Sequence, residues 1–282
     1  MADRLTQALV APVPAVDAPT WQAALDDAQS RLADLAVRRA SAVRFRVTDH
    51  EVRTAFGRDA GDPAHADHPA DPAHPTHPAH PEPFAWSARN ARRSIGVAAV
   101  RLLLEGGARS PLEAVRYRLA ESSRLVREGS SSVSQLDRWV DALPAAGRAA
   151  VGAEAVTWST RLWCALDWSA FPAPPVIGRD HWWDSPHSAL LALRGRADVR
   201  TVHAHLVVLT GPRRDSVRAE LALVTLVEAL RLRGDMPGRV VGWWPDSGHL
   251  VRVEPEPAVL TLGTDAVELA LGGAGTSLRP AA

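Results

Sequence analysis

Between Thr20 and Leu35 the apolar residues Trp21, Leu25, Ala28, Leu32 and Leu35 recur at spacings of four and three, which lays a single apolar stripe along a helix. Residues 1–18, rich in Ala, Pro and Val, are expected to form a loosely held arm before it. Residues 43–47 alternate and predict a short strand, and Thr48 and Glu51 have the spacing of a capping box that opens a short helix. From Ser87 to Trp168 the period is helical throughout. Ser87 caps a helix reaching about Glu105, ended by Gly106 and Gly107. Ser110-Pro111-Leu112-Glu113 starts a second, with Leu112, Val115, Leu119 and Leu125 on its apolar side and Gly129 at its end. Residues 135–143 and 151–166 predict two more, with Trp139, Trp158 and Trp163 as core.

The period then changes. Residues 189–193 and 203–209 are short apolar strands around a turn region at Gly195, and Asp215 caps a helix through Arg233 closed by Gly234. Residues 240–244 and 250–253 make a hairpin around Pro245, Asp246, Ser247 and Gly248. The expected class is α/β: a helical N-terminal half, then a small mixed sheet flanked by helices. The expected parts are an N-terminal helix and strand (residues 1–56), a His/Pro-rich insertion (57–83), the α/β domain (84–270) and a tail (271–282).

Composition narrows the chemistry. All 32 residues of the Lys+Arg total are arginine, as a GC-rich genome would produce. The consequence is chemical whatever the cause: Schiff-base catalysis, a phosphate-loop lysine and a lysine base are excluded. Net charge is zero, so nucleic acid would have to meet a local patch. Such a patch is offered between Ser87 and Glu128, where nine arginines stand against four glutamates, a net +5; Arg89, Arg92 and Arg93 are its candidate phosphate-binding residues. The alternative is a solvated face balanced by acids elsewhere.

In residues 57–83, His65, His68, His74, His77 and His80 differ by multiples of three and would share an edge of a polyproline helix, able to take a metal or simply to form a solvated loop. The tandem Trp182-Trp183 and Trp243-Trp244 could stack single-stranded bases or wedge a loop against a core. The lone Cys164, in an apolar run, is expected to be a buried inert thiol. Neither a secretion signal nor a membrane-spanning run is evident, so a cytoplasmic protein without a membrane partner is expected. Oligomeric state is not legible.

Four segments fall in the order of a known family. Gly195-Arg196-Ala197-Asp198 is similar to the G-x-I-D strand of RecB-type PD-(D/E)XK nucleases, and Val207-Val208-Leu209-Thr210-Gly211 to their D-x-K-T-G strand. Glu220-Leu221-Ala222-Leu223-Val224 resembles the opening of their Q-L-x-x-Y helix, and residues 95–100 the early helix, with Val100 where the family has histidine. The resemblance covers roughly residues 86–255. It implies a PD-(D/E)XK-like fold in which Asp198 keeps one metal ligand while Val207 and Leu209 replace the second acid and the lysine. A lone carboxylate seldom holds magnesium, so the implied function is a degraded, cofactor-free site in a non-catalytic module that binds nucleic acid or a protein partner. One alternative is a magnesium- or manganese-dependent DNA nuclease with a rearranged centre, in which Asp198 and Glu220 are catalytic and Asp198, His203 and His205 hold metal. Another is a protein-binding accessory factor that never meets nucleic acid.

Overall fold

Leu5, Ala8 and Leu9 lie one helical turn apart and are buried, and residues Ala2–Val10 form helix α1 where a loose arm was expected. One distant side chain gathers its last carbonyls. The Arg239 guanidinium donates to the oxygens of Ala8 (3.2 Å), Ala11 (3.3 Å) and Pro12 (2.8 Å) and pairs with Glu254 at 3.0 Å. Helix α2 (Ala18–Arg38) buries its whole expected stripe, from Trp21 to Leu35. Strand β1 (Phe45–Val47) follows, and then α3 (Asp49–Asp59). At the start of α3 the Thr48 amide donates to the Glu51 carboxylate at 2.9 Å, while the Thr48 hydroxyl oxygen accepts from the His50 amide at 3.2 Å.

The computed structural model describes residues 2–38, 45–59, 86–187, 190–232 and 236–272. Val43 and Arg44, the five histidines of the 57–83 segment, Arg233 and Gly234 lie outside them. The chain forms two units: an α/β unit of residues 1–67 and 167–282, and a helical unit of residues 68–166. The expected single domain over residues 84–270 therefore spans both units, because the helices of the second bury their stripes on one another.

The helical unit comprises α4 (Ala88–Leu104), α5 (Pro111–Arg127), α6 (Gln135–Ala142) and α7 (Ala145–Ala165). Ser87, Ser110 and Ser134 accept the amides of Asn90 (3.3 Å), Glu113 (3.2 Å) and Asp137 (3.1 Å), satisfying first-turn donors that would otherwise stay unpaired. Its core is built from Ala91, Ile95, Ala99, Val115, Val140, Val151 and Ala155, with Trp139 and Trp163 half-buried against it and Trp158 buried. Two expectations fail here. Leu112 is exposed, and Cys164 faces solvent because Leu162 and Leu166 take the buried side of their segment.

Gly96 lets α4 and α7 approach closely: a β-carbon there would sit 2.5 Å from Cε3 of Trp158. Gly96→Val is expected to lower stability by about 1–3 kcal/mol, the usual cost of overpacking. Urea unfolding would show this as a lower midpoint.

In the α/β unit two sheets form, where one small sheet was expected. Strand β2 is Val176–Ile177, β3 His181–Asp184, β4 Leu191–Gly195, β5 Val199–Arg200 and β6 Ala204–Val208. Helix α8 (Val217–Leu232) leads to β7 (Arg239–Trp244), β8 (His249–Val253) and α9 (Pro257–Ala270). The first sheet has the order β1-β4-β3 and the second β2-β5-β6-β7-β8. Strands β6 and β7 are parallel, which requires the crossover that α8 supplies, and β7-β8 is the expected hairpin. Gly195 ends a strand and is not a turn. Helix α8 is largely apolar around its circumference and buried from Ala219 to Leu230, with Arg218 alone of its first two turns exposed, and the cores of α2, α9 and both sheets meet it.

Candidate functional site

Three of the four segments that resemble a nuclease centre, residues 195–198, 207–211 and 220–224, lie where β6 meets the start of α8, in an apolar core beside an arginine network, whereas residues 95–100 belong to the helical unit. Val207 and Leu209, at the positions of the family's acid and lysine, are 5 % and 3 % exposed and pack with Val217, Leu221, Val224 and Trp244. The Leu209 amide is tied to the Trp243 carbonyl at 2.7 Å. Gly242 completes the seal: a β-carbon there would lie 2.7 Å from Leu209 and 3.0 Å from Leu221. Neither side chain offers an atom that could hold a metal.

Asp198 is fully buried. Its amide donates to the Leu206 carbonyl at 2.7 Å and its carboxylate accepts from the Val208 amide at 2.8 Å, so it ties the β4-β5 connection to the end of β6. Glu220, 3 % exposed on the first turn of α8, is held from three sides. Arg214 reaches it at 2.6 Å and 2.7 Å, Arg53 of α3 at 2.9 Å, and the Ser216 hydroxyl donates to it at 2.7 Å. Burial alone would raise its pKa, but the two arginines outweigh burial and hold the carboxyl below the usual range. Arg196 extends the network, donating to Asp49 and to the Val208 carbonyl, both at 3.1 Å. A cation at Glu220 would have to displace guanidinium groups already bound there.

His203 and His205 do not join Asp198 as ligands: among the described residues no group of three His, Cys, Asp or Glu side chains is placed to hold a metal. His205 instead belongs to a second buried cluster that local sequence patterns did not reveal. Glu228, the only other acid on α8, takes Arg200 at 2.7 Å and Nδ1 of His181 at 2.8 Å. Arg200 also donates to the carbonyls of Arg179 (2.8 Å) and Gly195 (2.9 Å). The available signal was a glutamate in the apolar middle of a helix, since a buried charge needs a partner. His205 stands opposite Arg200 across β5-β6, and its Nδ1 has no hydrogen-bond partner among the described residues. Burial, reinforced by the Arg200 charge, pushes its pKa down to about 4.

The arginine patch of the helical unit is thinner than its sequence count. Arg92 pairs with Glu154 at 3.3 Å, Arg118 with Asp137 at 2.7 Å, and Arg124 with Glu121 and Glu128 at 2.7 Å and 2.6 Å. Two of these acids, Asp137 and Glu154, lie beyond the segment that gave the net +5. Arg93 is half-buried, and the Arg89 side chain is outside the described residues. On α5, Arg116 and Arg127 stay in solvent eleven residues apart, on one helical face, and Arg109 is exposed just before the helix.

Of the tandem tryptophans, Trp243 and Trp244 are buried core, whereas Trp182 is 41 % exposed on the edge strand β3. Two open depressions, about 520 Å³ beside His50, Glu51 and Leu269 and about 560 Å³ beside Arg4, Trp243 and Leu250, are lined by none of the clustered charges. No described helix is long and apolar enough to cross a membrane. No protein-family model matches the chain, and no curated protein matches it significantly.

Proposed function

We propose that this chain is a PD-(D/E)XK-like protein whose nuclease centre has been lost and which acts as a non-catalytic binding module, with nucleic acid as the first ligand to test. The burial of Val207 and Leu209 in an apolar core carries the reading, because it removes the second carboxylate and the base together. The strand-helix-strand order of β6, α8 and β7, closed by the hairpin, is what such a scaffold requires. Exposed Arg116 and Arg127 on one face of α5, with Arg109 exposed before it, supply cations for phosphate.

The test uses the purified full chain with manganese and labelled single- and double-stranded DNA. The expected outcome is no cleavage, with binding at low salt that falls about tenfold between 50 and 200 mM salt for every two phosphates neutralised. Manganese-dependent cutting that disappears in Asp198→Asn, which keeps an acceptor for the Val208 amide, would establish a rearranged nuclease instead. Absence of binding to either DNA at low salt would leave a protein partner as the ligand.

A further inference from the structure

Strand alternation gives the β1-β4-β3 sheet two unlike faces. Phe45, Val47, Leu191, Leu193 and Trp183 point into the core shared with α2 and α8. Arg46, Arg194 and Trp182 point the other way, with Trp182 directly opposite Arg194 and Arg46 one strand further across, opposite Ala192. The Arg194 and Arg46 guanidinium carbons lie 5.7 Å and 5.8 Å from the Trp182 ring centroid. Both are within cation–π range of the ring.

The two arginines are not equivalent. Arg194 is neutralised by Asp180. Arg46 is exposed and makes no ion pair among the described residues, so its charge remains available. Asp184 lies across Ala192 from Arg46, and a polyanion would avoid that side and pass over β1.

We infer that this sheet face is a binding platform for single-stranded nucleic acid, on which a base stacks against Trp182 while the adjoining phosphate pairs with Arg46. The inference rests on the nucleic-acid reading above and names its ligand and site. An unpaired base offers an open π-face that an exposed indole can take, and an arginine beside the ring supplies the phosphate partner. A duplex hides those faces.

The test measures fluorescence anisotropy of a labelled deoxythymidine oligomer of ~15 nucleotides, long enough to cover a stacking site, with the full-length protein at low salt. Trp182→Ala is expected to weaken binding about tenfold and Trp182→Phe much less. Arg46→Ala is expected to weaken it and lower the salt slope by about one. Because Trp182 and Arg46 are exposed, unchanged thermal unfolding of each variant would show that the fold is intact. Wild-type binding that Trp182→Ala and Arg46→Ala leave unchanged overturns the platform but leaves nucleic-acid binding elsewhere on the chain. Equal affinity for a hairpin duplex, or for deoxythymidine monophosphate, overturns the choice of a single strand. A wild-type chain that binds none of the three probes overturns both this platform and the nucleic-acid reading.

Discussion

Leu209→Lys is expected to unfold much of the α/β unit rather than restore a nuclease. The side chain is 3 % exposed among Val217, Leu221, Val224 and Trp244. The acid on the neighbouring helix turn, Glu220, is already shared by Arg53 and Arg214. An ammonium placed in that core would be uncompensated, and such charges cost about 3–5 kcal/mol. That is a large part of the 5–15 kcal/mol that holds an ordinary domain. Leu209→Met, which conserves volume without charge, is expected to cost below about 1.5 kcal/mol. Val207→Asp should behave like the lysine variant, for the same reason. Urea unfolding at neutral pH separates the substitutions by their midpoints. A double Val207→Asp/Leu209→Lys variant that keeps wild-type stability and cuts DNA with manganese would mean that the core at these positions opens, and the loss of the centre would then be one of residues alone.

Much of the scaffold was legible because its signals are local. The stripe from Trp21 to Leu35, the serine caps at Ser87 and Ser110 and the β7-β8 hairpin need only their own neighbourhoods, and all three are observed. What failed depended on distant partners. Helix α1 is completed by Arg239, more than two hundred residues away, which the composition of residues 1–18 gives no reason to expect. Strand β3 pairs β4, and β1 joins the same sheet in parallel, so Gly195 looked like a turn when it is a strand end. Helix α9 went unread beyond the hairpin. The charge on α4 and α5 was counted over a segment whose balancing acids, Asp137 and Glu154, lie outside it. At the candidate centre the sequence offered a resemblance, with Val207 and Leu209 where it implies an acid and a lysine. It did not show that two arginines from different elements, Arg53 and Arg214, close over Glu220.

The buried His205 makes stability fall as pH drops, in the same direction as the depressed carboxylates but beginning at a higher pH. Burial and the facing Arg200 hold its imidazole down to about 4, against an ordinary value near 6.5. Above pH 6.5 the ring is neutral both folded and unfolded, and His205 contributes no pH dependence. Between pH 6.5 and 4 the unfolded chain takes up a proton that the folded one refuses, so stability falls as pH drops through that window. A shift of this size corresponds to about 3 kcal/mol lost between pH 7 and pH 4. The other groups around it are His181, whose pKa burial also lowers, and Glu228, held ionised chiefly by Arg200. Neither reverses the sign: His181, also lowered, adds to the loss below pH 6.5, and Glu228 adds to it as pH falls below the ordinary carboxylate value of about 4.5 toward its depressed one. His205→Leu removes an orphaned Nδ1 and a proton acceptor at similar volume. It is expected to be about 2 kcal/mol more stable than wild type at pH 5, where part of that window has been crossed, with a much smaller pH-dependent part to that gain above pH 6.5. Urea midpoints measured at several pH values give both curves. If they run parallel from pH 7 to pH 4, His205 is titrating as it would in water, and the cluster it shares with Arg200 and Glu228 is open to solvent.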